Sequence, residues 1–182
     1  MKIVARKLAY LFDVSTSPTR YVIKSSFLSF FVSIILGTLI ILFLSLIGQR
    51  DLVNDPLDDG EPLTLAVFIW TLSTAVFIAP LIETYLMAWT VKVFSRFFEH
   101  IIIISIFSSL LMTIMHSYFW PIWGAFVIVS FMIYGIAYQV WSRISMGTGI
   151  VVAASIHAGH NFLVMMVLNL SLIHISEPTR PY

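Results

Sequence analysis

Four side chains capable of acid–base or metal chemistry lie inside runs otherwise suited to lipid: Glu83 in "APLIETYLMAW", His116 in "LLMTIMHSYF", and His157 with Asn161 in "SIHAGHNF". An ionised acid at mid-bilayer costs about 2.5–3.5 kcal/mol on insertion scales, so such residues are usually paired or functional. No Lys or Arg within the apolar runs is an evident partner for Glu83. A carboxylate beside two imidazoles can hold and activate a water. The carboxylate takes the proton as general base, and the rings orient the water or hold a metal that acidifies it. An amide N–H can donate to a developing oxyanion. The set contains the parts for hydrolysing an amide inside a membrane. The simpler reading makes Glu83 a protonated acid bonded to a neighbouring helix and His116 an interfacial histidine. On that reading His157 and Asn161 are interhelical glue. His160 is assigned to packing or to support of the site rather than to ligation.

Spacing favours a shared site. His157 and Asn161 are four residues apart and share a helix face. Counted from Arg96, His100 and Ser145 at about 1.5 Å per residue, the four groups lie roughly 17–24 Å deep, in a slab ~7 Å thick. Unrelated hydrogen-bonding residues have no reason to agree in depth.

The elements that must position them are membrane spans. The chain has 182 residues, 59% of them hydrophobic and only 10% charged, against about a quarter charged in soluble domains. A span needs roughly 20 apolar residues, and about five such runs occur. They cover about 26–48, a long run from Leu63 through Phe94 that Pro80 is expected to kink or break, about 101–119, about 122–142 and about 147–170. The expected fold is therefore all-α, a polytopic transmembrane helix bundle, with the membrane domain over residues 25–172. Residues 1–24 read as a basic cytoplasmic lead, amphipathic or loosely ordered up to about residue 20. The long first run argues against a cleaved signal peptide. The polar stretch 173–182, ending "HISEPTRPY", continues no pattern and is expected to be a non-native appendage without function. There is no cysteine, which excludes disulfides and thiol chemistry, and the net charge of +1 gives no case for nucleic acid. The expected partners are membrane lipid and a peptide or protein substrate.

In sequence order the motifs resemble the CPBP (Abi) family, which includes type II CAAX prenyl proteases, bacteriocin-processing proteases and self-immunity proteins. The family's first motif is roughly APxxEExxxR. Here Ala79, Pro80 and Glu83 match it, with Thr84 in place of the second Glu and Ala88 in place of the Arg. Its FxxxH motif resembles "MTIMH", with Met112 in the Phe position and His116 retained, and its HxxxN motif resembles His157 and Asn161. Phe131 and Gly135 in "FMIYGIAY" are similar to an intervening Phe-xxx-Gly helix. The resemblance covers about 75–168. It implies an intramembrane endopeptidase with Glu83 as base and His116 and His157 as a water- or metal-holding pair, the metal being zinc if one is used. Asn161 would be the oxyanion donor. The missing Glu and Arg favour the alternative, a non-catalytic member acting in bacteriocin self-immunity or as an accessory protein. A proton-coupled carrier using the same residues lacks the expected internal repeat and second broken helix.

Lys and Arg orient spans. Lys2, Arg6, Lys7, Arg20 and Lys24 precede the first run, Lys92 and Arg96 follow the second, and Arg143 follows the fourth. The first loop, "QRDLVNDPLDDGEP", has one Arg and five acids: Asp51, Asp55, Asp58, Asp59 and Glu61. Tyr118, Trp120 and Trp123 fit an interfacial aromatic belt. The expected location is the cell membrane with the N-terminus cytoplasmic. A reporter fused after Leu57 is expected to be extracytoplasmic and one after Arg96 cytoplasmic. The reverse pattern of reporter activities would invert the orientation.

Overall fold

Lipid offers a backbone no hydrogen-bond partners, so each apolar run must satisfy its own N–H and C=O groups as a helix. The computed structural model describes residues 8–49, 52 and 64–176. The first basic residues (Lys2, Arg6, Lys7), Arg50 and the loop acids therefore lie outside the described residues. The α-helices are α1 (Pro18–Leu46), α2 (Leu65–Ser73), α3 (Ala79–Phe94), α4 (Ile101–Phe119), α5 (Trp123–Trp141) and α6 (Met146–Ser176). A π-helical segment, Thr74–Ile78, joins α2 to α3 without a gap. Five stretches are long and apolar enough to cross a membrane, with Ala66–Phe94 counting as one. The protein is an all-α, multi-pass membrane protein.

Within the expected lead, the described residues from 8 onward are held by local chemistry. Ser17 accepts a hydrogen bond from the Arg20 N–H, and Pro18 takes the first helical position. That Ser-Pro pair is a strong helix start, so α1 begins at Pro18 rather than after residue 24. Ahead of it, Ala9–Phe12 forms a 3-10 turn. The Tyr21 hydroxyl donates to the Leu11 carbonyl at 2.9 Å, and the Tyr21 ring meets Trp141 edge-on at 5.3 Å. The lead is thus tied to both α1 and α5. Asp13 accepts from the Ser15 N–H and hydroxyl, each at 2.8 Å, which holds its carboxyl below the ordinary carboxylate range. At the far end α1 stops at Gly48, whose φ of 72° only glycine adopts readily. Gly48 N–H reaches Ser45 O and Gln49 N–H reaches Leu44 O, a paired closure of the last orphan carbonyls.

The span expected to kink or break at Pro80 is distorted there. Proline has no N–H and crowds the carbonyl four residues back. The helix responds not by breaking but by widening ahead of it: Ala79 N–H bonds Thr74 O, a five-residue step. Helix α6 runs through Ser176. Residues 177–182 lie outside the described residues.

The bundle is arranged around α5, which packs on α1, α3, α4 and α6. Phe131, Tyr134, Ala137, Val140 and Trp141 of α5 are all buried. Small polar residues also lie between the helices. Buried positions include Ser25, Ser26, Ser29, Ser105, Ser108, Ser109 and Ser130, while Ile35, Leu39, Leu42, Phe43 and Leu46 of α1 face outward. In lipid, association rests on close packing and interhelical hydrogen bonds, so small residues collect between helices. The α4–α5 contact shows this. A Cβ on Gly124 would collide with Ser117 Oγ and the Thr113 carbonyl and lie 2.8 Å from Thr113 Cγ2. One of those neighbours is backbone and cannot swing aside. Gly124→Ala is expected to lower stability by about 1–3 kcal/mol, the usual cost of overpacking, measured by unfolding in detergent. Gly37→Ala is the control, since a Cβ there meets only Phe126 at 3.8 Å. Equal stability of the two variants would contradict the close α4–α5 approach.

Candidate functional site

Glu83 lies in the second turn of α3, His116 in the last turn of α4 and His157 near the middle of the crossing part of α6. The bundle brings all three together. Glu83 Oε2 is 3.5 Å from His116 Nε2 and 3.6 Å from His157 Nε2. The Glu83 side chain keeps 27% of its surface, against 14% for His116 and 6% for His157. The more open carboxylate thus faces a cavity of about 230 Å³, whose wall includes Glu83, His116, His157 and Asn161. At about 30 Å³ per water this is room for several waters or a small acyl group.

Hydrogen-bond accounting fixes where protons sit. His116 Nδ1 is 2.8 Å from the Met112 carbonyl. A carbonyl only accepts, so Nδ1 carries the hydrogen. Nε2 of a neutral His116 would then present a lone pair to a carboxylate oxygen, and two lone pairs repel. A hydrogen on either atom, or a water between them, relieves that contact. His157 Nδ1 is buried with no hydrogen-bond partner among the described residues. Orphaned buried N–H groups are rarer than orphaned acceptors, which puts the His157 hydrogen on Nε2, toward Glu83. Both N···O separations exceed the usual 2.7–3.2 Å of such bonds. Catalytic hydrogen bonds are often long in a free enzyme and shorten in the complex.

Since no polar group holds His157 Nδ1, aromatic packing holds the ring. Tyr134 stacks on it at 4.6 Å between centroids, 23° from parallel, and Phe131 meets it edge-on at 5.5 Å. Phe131 also packs against His116 at 5.1 Å, so one α5 side chain touches both rings. Trp123 meets His116 edge-on at 5.5 Å and lines the cavity, a role beyond the interfacial belt. Behind Tyr134, Ser29 Oγ donates to its hydroxyl at 3.2 Å and lies 2.9 Å from His160 Nδ1. Ser29 has one hydrogen, so His160 Nδ1–H donates to it. His160 therefore supports the site through Ser29 and Tyr134.

Asn161 lines the cavity, and its Nδ2 donates to the Ala75 carbonyl at 2.8 Å. The π segment explains why. The N–H that would serve Ala75 O in an α-helix, Ala79, is taken by Thr74 O. The next N–H along the π-helical pattern would be residue 80, which is proline. Ala75 O has no donor of its own helix, and Asn161 supplies one from α6. The second Nδ2 hydrogen and Oδ1 remain for other partners. Thr84 and Ala88 are both buried, and Thr84 Oγ1 has no hydrogen-bond partner among the described residues.

A zinc-binding histidine normally has its other ring nitrogen anchored by an acceptor. His116 has that anchor in Met112, and His157 has none. No group of three His, Cys, Asp or Glu among the described residues is arranged to hold a metal, whereas a catalytic zinc site takes three protein ligands.

No family model, curated protein or solved structure matches the chain. Tyr134, Ser29 and the Ala75 carbonyl were not singled out by sequence reading. A signal existed for two of them: Tyr134 follows Phe131 by three residues, and Ser25, Ser29 and Ser33 recur at intervals of four, a polar stripe on one face of α1.

Asn161→Ala is expected to cost about 0.6–1.7 kcal/mol, the range of interhelical hydrogen bonds in membranes. Pro80→Ala restores an N–H that can reach Ala75 O. The double variant should therefore unfold at higher denaturant than the two single losses add up to. Strict additivity would contradict the carbonyl-donor account.

Proposed function

We propose that this protein is an intramembrane endopeptidase of the CPBP, CAAX-protease type, cleaving a peptide or protein near the membrane. The observation that supports it is the convergence of one carboxylate oxygen and two imidazole nitrogens at a cavity inside an apolar bundle. The sequence resemblance is to the same motifs, in the same order. The chemistry needs only side chains. Glu83 as carboxylate accepts a proton from a water oriented by His116 and His157, and the resulting hydroxide attacks the scissile carbonyl carbon. The tetrahedral oxyanion takes a hydrogen bond from the remaining Nδ2 hydrogen of Asn161. Glu83 then delivers its proton to the leaving nitrogen as the C–N bond breaks, which restores the carboxylate. The apolar surroundings strengthen each electrostatic contact and keep bulk water from the intermediate. On this reading the protein resides in the cell membrane with its N-terminus in the cytoplasm.

A second reading has its own support. Asn161 already spends one amide hydrogen on Ala75, and the buried positions of Thr84 and Ala88 carry no charge pair. A non-catalytic relative acting in self-immunity or as an accessory would keep the cluster for binding and packing.

Purified protein in proteoliposomes, presented with a library of membrane-proximal peptides, separates the two. Cleavage by wild type is expected, with a fall of about 10²–10⁴ in rate for Glu83→Gln, the usual worth of a positioned general base. Peptide binding without cleavage, unaffected by Glu83→Gln, would support the accessory reading instead.

A further inference from the structure

A second cavity, of about 310 Å³, lies at the other end of the bundle and shares no wall residue with the first. It is a notch between the end of α3, the start of α4 and the end of α5, lined by Lys92, Ser95, Glu99, Gln139, Ser142 and Arg143. Two cations and one carboxylate give its wall a net charge of +1 (2 − 1). Among the described residues the only carboxylate contacts to a basic group are those of Glu83. Neither Lys92 nor Arg143 is thus neutralised by Glu99 at ion-pair distance.

The floor of the notch is fixed. Gln139 Nε2 donates to the Ile101 carbonyl at 3.1 Å and to Ser105 Oγ at 2.8 Å, tying α5 to the first turn of α4. That turn has no side-chain cap, because His100 makes no capping bond. Its free N–H groups leave the positive end of a 19-residue helix at the rim. The notch sits where three membrane-crossing helices end, the level at which lipid phosphates lie.

We propose that this notch binds a phosphodiester headgroup. Arg143 and Lys92 would take the phosphate oxygens, Arg as a planar fork and Lys as a point charge. The Ser95 and Ser142 hydroxyls on the same wall donate to the Lys92 and Gln139 carbonyls, so the two cations carry the contact. A net wall charge of +1 matches the single negative charge of a diester better than the double charge of a monoester, since Glu99 repels a second negative charge. The hydropathy of the bundle places lipid beside the notch, so a lipid is the expected source.

The test uses the full chain in neutral detergent, titrated with phosphatidylglycerol or with its soluble deacylated headgroup, glycerophosphoglycerol, and read by native mass spectrometry. Wild type and Arg96→Gln are expected to bind alike, because Arg96 does not line the notch. Lys92→Gln and Arg143→Gln are expected to weaken binding roughly tenfold, the loss of one charge-assisted contact. Glu99→Gln is expected to tighten binding, a gain that misfolding cannot imitate. Binding of phosphatidylglycerol alone identifies a lipid site, and binding of both probes identifies a site for the headgroup itself. No binding, equal losses in Lys92→Gln, Arg143→Gln and Arg96→Gln, or no tightening by Glu99→Gln would overturn the proposal.

Discussion

A carboxyl group carried into a bilayer must find partners, and Glu83 finds them on two other helices. That constraint organises this end of the bundle. The His116 and His157 rings each aim Nε2 at the same oxygen, so α3, α4 and α6 must meet with their polar faces at one depth. Phe131 and Tyr134 of α5 fill the space between and behind the rings. Apolar surroundings raise the cost of separating the three groups, because an unpaired buried charge is far more expensive than a paired one.

Pro80 is the second organising element, and it acts through what it lacks. By removing one N–H it displaces the helical ladder into a π segment and leaves the Ala75 carbonyl without a donor. Asn161 answers from α6, four residues past His157. One missing hydrogen therefore locks α6 against the α2–α3 span directly beside the carboxylate. π segments commonly mark functional positions, and here the physical reason is visible: the distortion puts a backbone acceptor and an amide at the wall of the cavity. One Asn161 amide hydrogen is spent on the Ala75 carbonyl.

Much of the fold was legible in the sequence because lipid imposes a simple rule. Length and hydropathy alone mark the spans, and α4 and α5 fall within a residue or two of their expected bounds. Depth, counted in residues from the span ends, was enough to group Glu83, His116, His157 and Asn161, since antiparallel helices of known rise leave little freedom along the bilayer normal. What escaped was set by rotation and by local backbone chemistry. Hydropathy does not fix which face of an almost uniformly apolar helix turns inward, so the spacing that marks Tyr134 and Ser29 as sharing faces with Phe131 and Ser25 does not show that they meet His157 and His160. The π segment depends on one proline's missing N–H, which a span count treats only as a kink. The ordered lead escaped because a Ser-Pro cap and one Tyr21 hydroxyl, rather than composition, decide it.

The central claim is that a single carboxylate oxygen is shared by two imidazoles within the bundle. It is tested most directly by solid-state NMR in lipid. Glu61, Glu99 and Glu177 are replaced by Gln so that Glu83 alone carries a labelled carboxyl carbon, and the histidine rings carry ¹⁵N. Oxygen-to-nitrogen separations of 3.5 and 3.6 Å require that both rings dephase the Glu83 carboxyl signal. The effect should halve, not vanish, when either His116 or His157 is replaced by Phe. A carboxyl signal dephased by neither ring, or by one ring alone, would contradict the account.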